Sequence, residues 1–233
     1  MLRAILFDID GTLADTERDG HRVAFNRAFA DAGLAWHWDI ARYGELLAVA
    51  GGRERILYFI QSDAQEIPLA QRDALARDLH KSKTAHYAEL VDAEQLQLRP
   101  GIARLLDEAH AAGLILAIAT TTSRANVDAL LAHTLPTAAT WFQVIATAED
   151  APNKKPDPQV YQVVLNQLGL SAKECLAIED SALGLRAALA AGIPTIVTIN
   201  DYTRDQDFTG ARIVLDDLGA ISLPHLQAWH TSA

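Results

Sequence analysis

Carboxylate, hydroxyl and ammonium side chains recur in this sequence next to short apolar runs. Asp8 and Asp10 come directly after one such run and are followed by Gly11. Residues i and i+2 of an extended segment point to the same side, so both carboxylates can face one pocket, while glycine permits a sharp turn. This group alone is equally typical of an ordinary turn, because turns favour Asp and Gly.

Two further groups could bind a phosphate. Thr120, Thr121 and Thr122 follow an apolar run, where hydroxyl and N–H groups can bind a phosphate oxygen, although threonines also end ordinary strands. Lys155 lies in the loop before a predicted helix and precedes Pro156, which favours an extended backbone at the lysine and could orient its ammonium. Exposed lysines are more often only solvated.

The fourth group is acidic and opens a helix. Glu179 and Asp180 follow an apolar run and precede Ser181, so they could simply cap that helix and interact with its dipole. Together, however, the four groups contain what phosphoryl transfer through an aspartyl phosphate requires. These parts are a nucleophile, an acid and base, hard oxygen ligands for Mg²⁺, and cations for the phosphoryl oxygens.

The rest of the chain predicts an α/β fold with a Rossmann-like parallel sheet. Apolar runs of strand length alternate with segments of helical periodicity, and continuous apolar runs are typical of strands buried on both faces. The predicted strands cover residues 4–7, 114–119, 175–178, 195–199 and 212–215. Because open α/β sheets bind ligands at the carboxyl ends of their strands, the polar groups are expected to meet there.

A long segment after the first strand has a different pattern. Residues 16–98 contain no convincing strand, whereas Phe25 and Phe29 have helical spacing. We therefore predict an inserted all-helical cap domain at 16–98 and an α/β core domain made of 1–15 and 99–233. Because the cap leaves the sheet at the end of the first strand, it should lie over the predicted site.

Composition narrows the possible partners. The chain has 233 residues and a formal charge of -10, which disfavours nonspecific binding to nucleic acid. No apolar run approaches the roughly 20 residues that span a membrane, and the N-terminus has no signal-peptide pattern. The single cysteine, Cys175, cannot form an internal disulfide. We expect a cytoplasmic protein with no membrane or nucleic-acid partner.

The four groups resemble the motifs of the haloacid dehalogenase superfamily of hydrolases. D-I-D-G-T is similar to the first motif, Thr120 to the second, K-K-P-D-P with Lys155 to the third and I-E-D-S to the fourth. The resemblance implies that Asp8 is the nucleophile and Asp10 the general acid and base. A general acid must hold its proton, so Asp10 is expected to lie away from the open side of the metal.

The same resemblance implies a metal cofactor and a way to hold the phosphoryl group. Mg²⁺ would be bound by Asp8, by the main-chain carbonyl of Asp10 and by Asp180. Glu179 would be a ligand through water or would support the other ligands. Thr120 and Lys155 would hold the phosphoryl group during transfer.

The predicted cap is similar to that of the CbbY branch of this superfamily. The similarity lies in L-A-D-T-E-R-D-G-H-R, G-G-R-E-R-I, H-K-S-K-T and N-D-Y-T. It implies a monomeric phosphatase that converts xylulose 1,5-bisphosphate, a Rubisco inhibitor, to xylulose 5-phosphate. A second phosphate needs its own donors, for which arginine has the better bidentate geometry. The predicted contacts to the sugar and this phosphate are Glu17, His21, Arg53, Arg55, Lys83, Thr121 and Thr122.

Two other functions stay open from the sequence. A sugar-phosphate mutase of the β-phosphoglucomutase kind shares the four motifs but returns the phosphate to a sugar hydroxyl instead of water. The cap favours the phosphatase. A noncatalytic receiver domain also accepts phosphate on aspartate, but receivers are shorter, have no cap and carry adjacent acids after the first strand.

Overall fold

A single parallel sheet forms the centre of the molecule. The structure is a computed structural model that describes residues 1–92 and 96–231. Within these residues six strands lie in the order β3-β2-β1-β4-β5-β6, and every neighbouring pair is parallel. They are β1 (Ala4–Phe7), β2 (Ile115–Ala119), β3 (Phe142–Ala146), β4 (Cys175–Glu179), β5 (Thr195–Thr198) and β6 (Ile213–Leu215). This doubly wound order confirms the predicted α/β fold.

Helices cover the sheet and fill the stretch between its first two strands. Four of them precede β2 in the predicted cap: α1 (Arg22–Asp31), α2 (Ile40–Leu46), α3 (Gly52–Ser62) and α4 (Leu69–Asp92). A π-helical turn at Glu17–His21 leads into α1. The others are α5 (Ile102–Ala111), α6 (Arg124–Thr134), α7 (Gln159–Leu168), α8 (Ala182–Ala190) and α9 (Leu223–Thr231). Among the described residues, no helix combines the length and apolarity needed to cross a lipid bilayer.

The side chains of β1 explain its unbroken apolar run. Ile5 and Phe7 pack into one hydrophobic core, whereas Ala4 and Leu6 pack into another, and all four are fully buried. Successive residues of a strand face opposite sides of a sheet, so a central strand covered by helices on both faces needs apolar residues throughout.

Strand β3 was not predicted from the sequence. Phe142 and Val144 are buried, but Gln143 between them is exposed. The strand lies at the edge of the sheet, where it pairs only with β2. A polar residue therefore interrupts its apolar pattern, and the search for continuous apolar runs missed it.

Helices α1 to α4 enclose a hydrophobic cluster of their own. The ring of Trp38 is fully buried, with its centroid 4.8 Å from those of both Phe25 and Phe29. The described part of this stretch, up to residue 92, contains helices and loops. The predicted domain boundaries at 16–98 stay a prediction, and residues 93–95 lie outside the described residues.

Candidate active site

Two loops meet closely at the carboxyl ends of β1 and β4. Asp8 follows β1 directly. Gly11, three residues further along the same loop, has a positive φ of 83°. A Cβ atom at Gly11 would lie against the carboxylate of Asp180 and only 2.7 Å from Nδ2 of Asn200. Glycine thus provides both the backbone conformation and the space that bring the two acidic loops together.

Lys155 links the nucleophile predicted from the sequence to the acidic loop after β4. Its Nζ lies 2.6 Å from Oδ1 of Asp8 and 2.6 Å from Oε1 of Glu179, and it donates to the carbonyl of Ala119 at 2.9 Å. Burial acts to lower the pKa of Lys155, but the two carboxylates raise it above its usual range. The buried ammonium therefore stays charged beside Asp8.

Three buried carboxylates form a group suited to a divalent cation. One oxygen each from Asp8, Glu179 and Asp180 lies within 4.8 Å of the others. Burial, reinforced by Glu179 and Asp10 although Lys155 opposes it, raises the pKa of Asp8 to about 7. Burial and the neighbouring acids also raise the pKa of Asp180 well above its usual range.

The charge and hydrogen bonding of this group fit a metal ion. Oε2 of Glu179 is buried without a hydrogen-bond partner among the described residues. Lys155 pairs with Asp8 and Glu179, and Asp180 adds a third carboxyl group to the cluster, so the acids outnumber the one ammonium that contacts them. Hard oxygen ligands of this kind are those that Mg²⁺ and Ca²⁺ prefer. The chain thus has a site that can hold a divalent cation.

Asp10 turns away from this group towards the cap. Its Oδ1 accepts hydrogen bonds from Oγ1 of Thr16 at 2.5 Å and from Nε2 of His21 at 2.9 Å, while Nδ1 of His21 lies 2.8 Å from Nζ of Lys83. An ammonium can only donate, so Nδ1 accepts and Nε2–H donates to Asp10. Burial acts to raise the pKa of Asp10, but His21 and Thr16 lower it to about 2. These contacts therefore favour the ionised form of Asp10.

All thirteen residues predicted for the site line two adjoining cavities. The first, of about 350 Å³, contains the predicted reaction centre, and the second, of about 240 Å³, extends under the cap. The first is lined by Asp8, Asp10, Glu17, Arg55, Thr120, Thr121, Lys155, Glu179 and Asp180. The second is lined by Asp10, Glu17, His21, Arg53, Arg55, Lys83, Thr121 and Thr122. Their roles stay predictions, but the fold brings them together.

The cap cations differ in their surroundings. Lys83 is buried between the rings of Phe25 and Tyr87, 5.2 Å and 5.0 Å from their centroids. Burial lowers the pKa of Lys83 to about 8, although nearby acids oppose the shift. Arg55 is also buried, whereas Arg53 is part-exposed and forms an ion pair with Asp73 at the surface.

One tyrosine joins the acidic and basic residues of the cap. The hydroxyl of Tyr43 donates to Oε2 of Glu17 and accepts from Nη1 of Arg55 at 2.9 Å. Tyr43 is fully buried, and Arg55 also donates from Nε to the carbonyl of Leu46 at 3.2 Å. Glu17 and Arg55 are therefore held relative to each other through a single hydroxyl.

Sequence reasoning missed four residues that support the site. Thr16 binds Asp10, Tyr43 binds Glu17, Tyr161 donates to Oε1 of Glu179, and Asn200 donates from Nδ2 to Oδ2 of Asp180 at 2.8 Å. Their signals in the sequence were weak. Buried aromatic residues on helices resemble ordinary core residues, and a single Thr or Asn resembles a turn or a cap.

Known proteins similar to this chain were found by sequence. A family model for haloacid dehalogenase-like hydrolases matches residues 2–192. Protein CbbY encoded on a plasmid of Cupriavidus necator is 53% identical over 222 residues, which cover 94% of this chain and 86% of that protein. Protein CbbY of Rhodobacter capsulatus is 47% identical over 220 residues, or 94% of this chain and 95% of that protein.

Solved structures give a similar result. CbbY from Rhodobacter sphaeroides in complex with phosphate has a TM-score of 0.89 and 42% identity, covering 97% of this chain and 100% of that one. A mutant of that protein in complex with xylulose-(1,5)bisphosphate has a TM-score of 0.90 and 42% identity, with coverages of 97% and 99%. A β-phosphoglucomutase from Clostridium difficile shares the fold, with a TM-score of 0.78 at 22% identity and coverages of 99% and 97%.

Proposed function

This chain belongs to the haloacid dehalogenase-like hydrolases, in their CbbY-like branch, and we propose that it uses Mg²⁺ to hydrolyse one phosphate from xylulose 1,5-bisphosphate. It is a phosphatase whose substrate is a phosphorylated sugar. The observation that carries the proposal is the pair of adjoining cavities, one at a buried carboxylate and lysine cluster and the other lined by cap cations. Two phosphate-binding regions suit a bisphosphate.

Asp8 is the proposed nucleophile. Its carboxylate attacks phosphorus, a bond forms between its oxygen and the phosphoryl group, and the bond from phosphorus to the sugar oxygen breaks. Lys155 at 2.6 Å favours the ionised form of Asp8 and offers its ammonium to the phosphoryl oxygens. Thr120, buried at the end of β2 and lining the same cavity, offers a hydroxyl to them.

Asp10 is proposed to move the protons. In the second half of the reaction it takes a proton from the water that attacks the aspartyl phosphate, which its ionised state permits. In the first half the leaving sugar oxygen needs a proton. We propose that Lys83 gives a proton to Nδ1 of His21, that Nε2 of His21 gives its proton to Asp10, and that Asp10 protonates the sugar oxygen. The proton that Asp10 later takes from water returns along the same residues to Lys83.

The proposed metal ligands are Asp8, the main-chain carbonyl of Asp10, and Asp180, with Glu179 in support. When bound, Mg²⁺ would supply positive charge for the phosphoryl oxygens. Mg²⁺ is proposed over softer ions because the residues offer oxygen atoms. Asn200 donates to Oδ2 of Asp180, which leaves the other carboxylate oxygen free of that hydrogen bond.

The second phosphate is proposed to bind beneath the cap. Arg55 and Lys83 are buried at the second cavity, where a bound anion would meet positive charge with little competition from water. Arg53, with Thr121 and Thr122, lines the same cavity. Glu17 lines both cavities and is therefore suited to the sugar hydroxyls between the two phosphates.

The biological role follows from this substrate. Hydrolysis would yield xylulose 5-phosphate and remove an inhibitor of Rubisco. We also propose that the protein acts in the cytoplasm as a monomer, without a nucleic-acid or membrane partner.

A hydrolysis panel tests the proposal. Phosphate release from xylulose 1,5-bisphosphate, ribulose 1,5-bisphosphate, fructose 1,6-bisphosphate and sugar monophosphates would be compared in Mg²⁺ and in chelator. The first substrate is expected to have the highest kcat/KM, and activity is expected to require Mg²⁺. Asp8→Asn should abolish turnover without loss of the fold, and near-wild-type turnover by that variant would exclude the mechanism.

The same panel separates the mutase. Incubation with β-glucose 1-phosphate and a sugar bisphosphate primer would give glucose 6-phosphate without net phosphate release if the enzyme were a mutase. We expect no such product.

A further inference from the structure

Arg99 makes an unusual set of contacts where the chain returns from the cap helices to the core. Its guanidinium is buried and donates to four main-chain carbonyls, while its Nε lies 3.4 Å from Oδ1 of Asp15. The carbonyls belong to Gly11, to Thr198 at 3.0 Å, to Ile199 at 2.6 Å and to Asp216 at 2.8 Å. A guanidinium has enough N–H donors for all these acceptors, whereas an ammonium has only three.

These carbonyls join two segments that build the acidic site. Gly11 belongs to the loop that carries Asp8 and Asp10, and its carbonyl accepts from Nη1 of Arg99. The same nitrogen donates to Thr198, the last residue of β5. A single nitrogen atom therefore holds the loop after β1 against the carboxyl end of β5.

The end of β5 in turn supports Asp180. Ile199, which binds Arg99, directly precedes Asn200. The amide oxygen of Asn200 accepts from the backbone N–H of Tyr202 at 2.9 Å, so its Nδ2 is left to face Asp180, to which it donates at 2.8 Å. Arg99 thus fixes the backbone whose next side chain orients Asp180.

Close packing makes the site sensitive to this arrangement. A Cβ atom on Gly11 would meet both Asp180 and Asn200, so the loops after β1, β4 and β5 are already in contact. A small shift of Gly11 or of the β5 end would change the separation of Asp8 and Asp180. Arg99 lines neither of the two substrate cavities and can act only through these neighbours.

We propose that Arg99 is a positioning residue for the metal site, which sets the spacing between the loop of Asp8 and the carboxylate of Asp180. The inference rests on the proposed metal-dependent function. It assigns Arg99 no contact with substrate, and it predicts that loss of the guanidinium weakens metal binding more than it weakens binding of a phosphate ester.

Arg104 provides a matched control nearby in the sequence. Its Nη2 also donates to three main-chain carbonyls, those of Leu218 at 2.9 Å, Gly219 at 3.1 Å and Ile221 at 2.7 Å. These residues follow β6 and line neither substrate cavity. Arg104→Met therefore removes three hydrogen bonds to carbonyls and an ion pair with Glu108, none of which involves the loops of the acidic site.

The experiment compares wild type, Arg99→Met, Arg99→Lys and Arg104→Met. Mn²⁺ affinity would be measured by electron paramagnetic resonance on the metal-free proteins. Hydrolysis of p-nitrophenyl phosphate would give two further quantities: the Mg²⁺ concentration for half-maximal rate, and the KM at saturating Mg²⁺. We expect Arg99→Met to weaken Mn²⁺ binding and raise the Mg²⁺ requirement by about 10-fold or more, with little change in KM. Arg99→Lys should lose less, and Arg104→Met should match wild type.

Several results would overturn the inference. If a folded Arg99→Met protein binds Mn²⁺ as tightly as Arg104→Met while its Tm falls, Arg99 is only structural. If Arg99→Met does not fold, an unchanged Mn²⁺ affinity in Arg99→Lys would contradict the inference. Either of these results would overturn the inference alone and leave the proposed function intact. A wild-type protein that hydrolyses sugar phosphates but binds no Mn²⁺ would instead overturn the proposed cofactor, and the inference with it.

Discussion

His21 donates from Nε2 to Oδ1 of Asp10 across 2.9 Å, while its other ring nitrogen lies 2.8 Å from Nζ of Lys83. His21, next to the start of α1, thereby contacts the proposed acid and base of the core, and Lys83 on α4 contacts His21 in turn. Without them, burial would raise the pKa of Asp10, but with His21 and Thr16 that pKa is about 2. Hydrogen bonds from His21 and Thr16 therefore favour the ionised form of Asp10.

His21→Phe should change the pH dependence of turnover. Loss of the His21 hydrogen bond raises the pKa of Asp10, so this carboxyl begins to protonate at a higher pH and loses its role as a base there. We expect the acidic limb of kcat, measured at saturating Mg²⁺, to shift to higher pH. Thr16→Val, which removes only a hydroxyl donor to Asp10, should shift the acidic limb less. If neither variant shifts the acidic limb, Asp10 is not the base.

Arg55→Ala and Arg53→Ala should differ strongly although both are on α3. Arg55 is buried at the second cavity, whereas the side chain of Arg53 is 41% exposed and pairs with Asp73. Loss of a buried charged hydrogen bond to a phosphate costs about 1.5–3 kcal/mol, or roughly 10- to 100-fold in KM for xylulose 1,5-bisphosphate. The KM for p-nitrophenyl phosphate should change little. Equal effects of Arg55→Ala on both substrates would exclude a second phosphate site there.

Tyr43→Phe should separate Glu17 from Arg55 without removing either. The ring of residue 43 can still pack against Trp38, but neither Glu17 nor Arg55 keeps its hydroxyl partner. We expect a higher KM for the sugar bisphosphate, unchanged kinetics with p-nitrophenyl phosphate, and a loss of about 1–3 kcal/mol in the free energy of unfolding.

Tyr58→Phe is the matched control for that change. Tyr58 also lies on a cap helix, but it is about half exposed. It should leave both the kinetics and the chemical denaturation midpoint unchanged. If Tyr43→Phe also leaves the kinetics and the denaturation midpoint unchanged, the Tyr43 hydroxyl does not position Glu17 and Arg55.

The acidic cluster should make the metal-free enzyme lose stability as pH rises. Burial raises the pKa of Asp8 from an ordinary 3.8 to about 7 and also raises that of Asp180. The unfolded chain releases these protons near pH 4, so the folded state binds more protons between about pH 4 and 7, and the free energy of unfolding falls across that window. We expect Tm in chelator to fall over this range, and Mg²⁺ to restore it most strongly near pH 7.

Asp180→Asn tests the origin of that effect. The variant should have a higher Tm than wild type in chelator at pH 7, with each 1 kcal/mol in the free energy of unfolding giving about 2–4 °C. Its Tm should also rise less when Mg²⁺ is added. Asp128→Asn is the control, because Asp128 is an exposed residue paired with Arg124 at the surface. A metal-free Asp180→Asn protein with the same Tm as wild type at pH 7 would show that the cluster is not destabilising.

The central strands and the grouping of polar residues at their ends could be predicted because their signals are local. Buried parallel strands appear as continuous apolar runs, and the parallel arrangement sends their carboxyl ends to one edge of the sheet. Asp8, Thr120 and Glu179 follow such runs directly, so their convergence required no knowledge of side-chain contacts. Strand β3 was not predicted because its exposed Gln143 interrupts the apolar run.

The sequence by itself determined the parallel α/β core, the helical character of the stretch after β1 and the residue types at the strand ends. Only the tertiary structure decided how they are held: His21 against Asp10, Arg55 against Tyr43, and Arg99 against the carbonyl of Gly11. Periodicity reports which face of an element is buried. It carries no information on which distant side chain or carbonyl meets that face, because those contacts depend on how whole elements pack together.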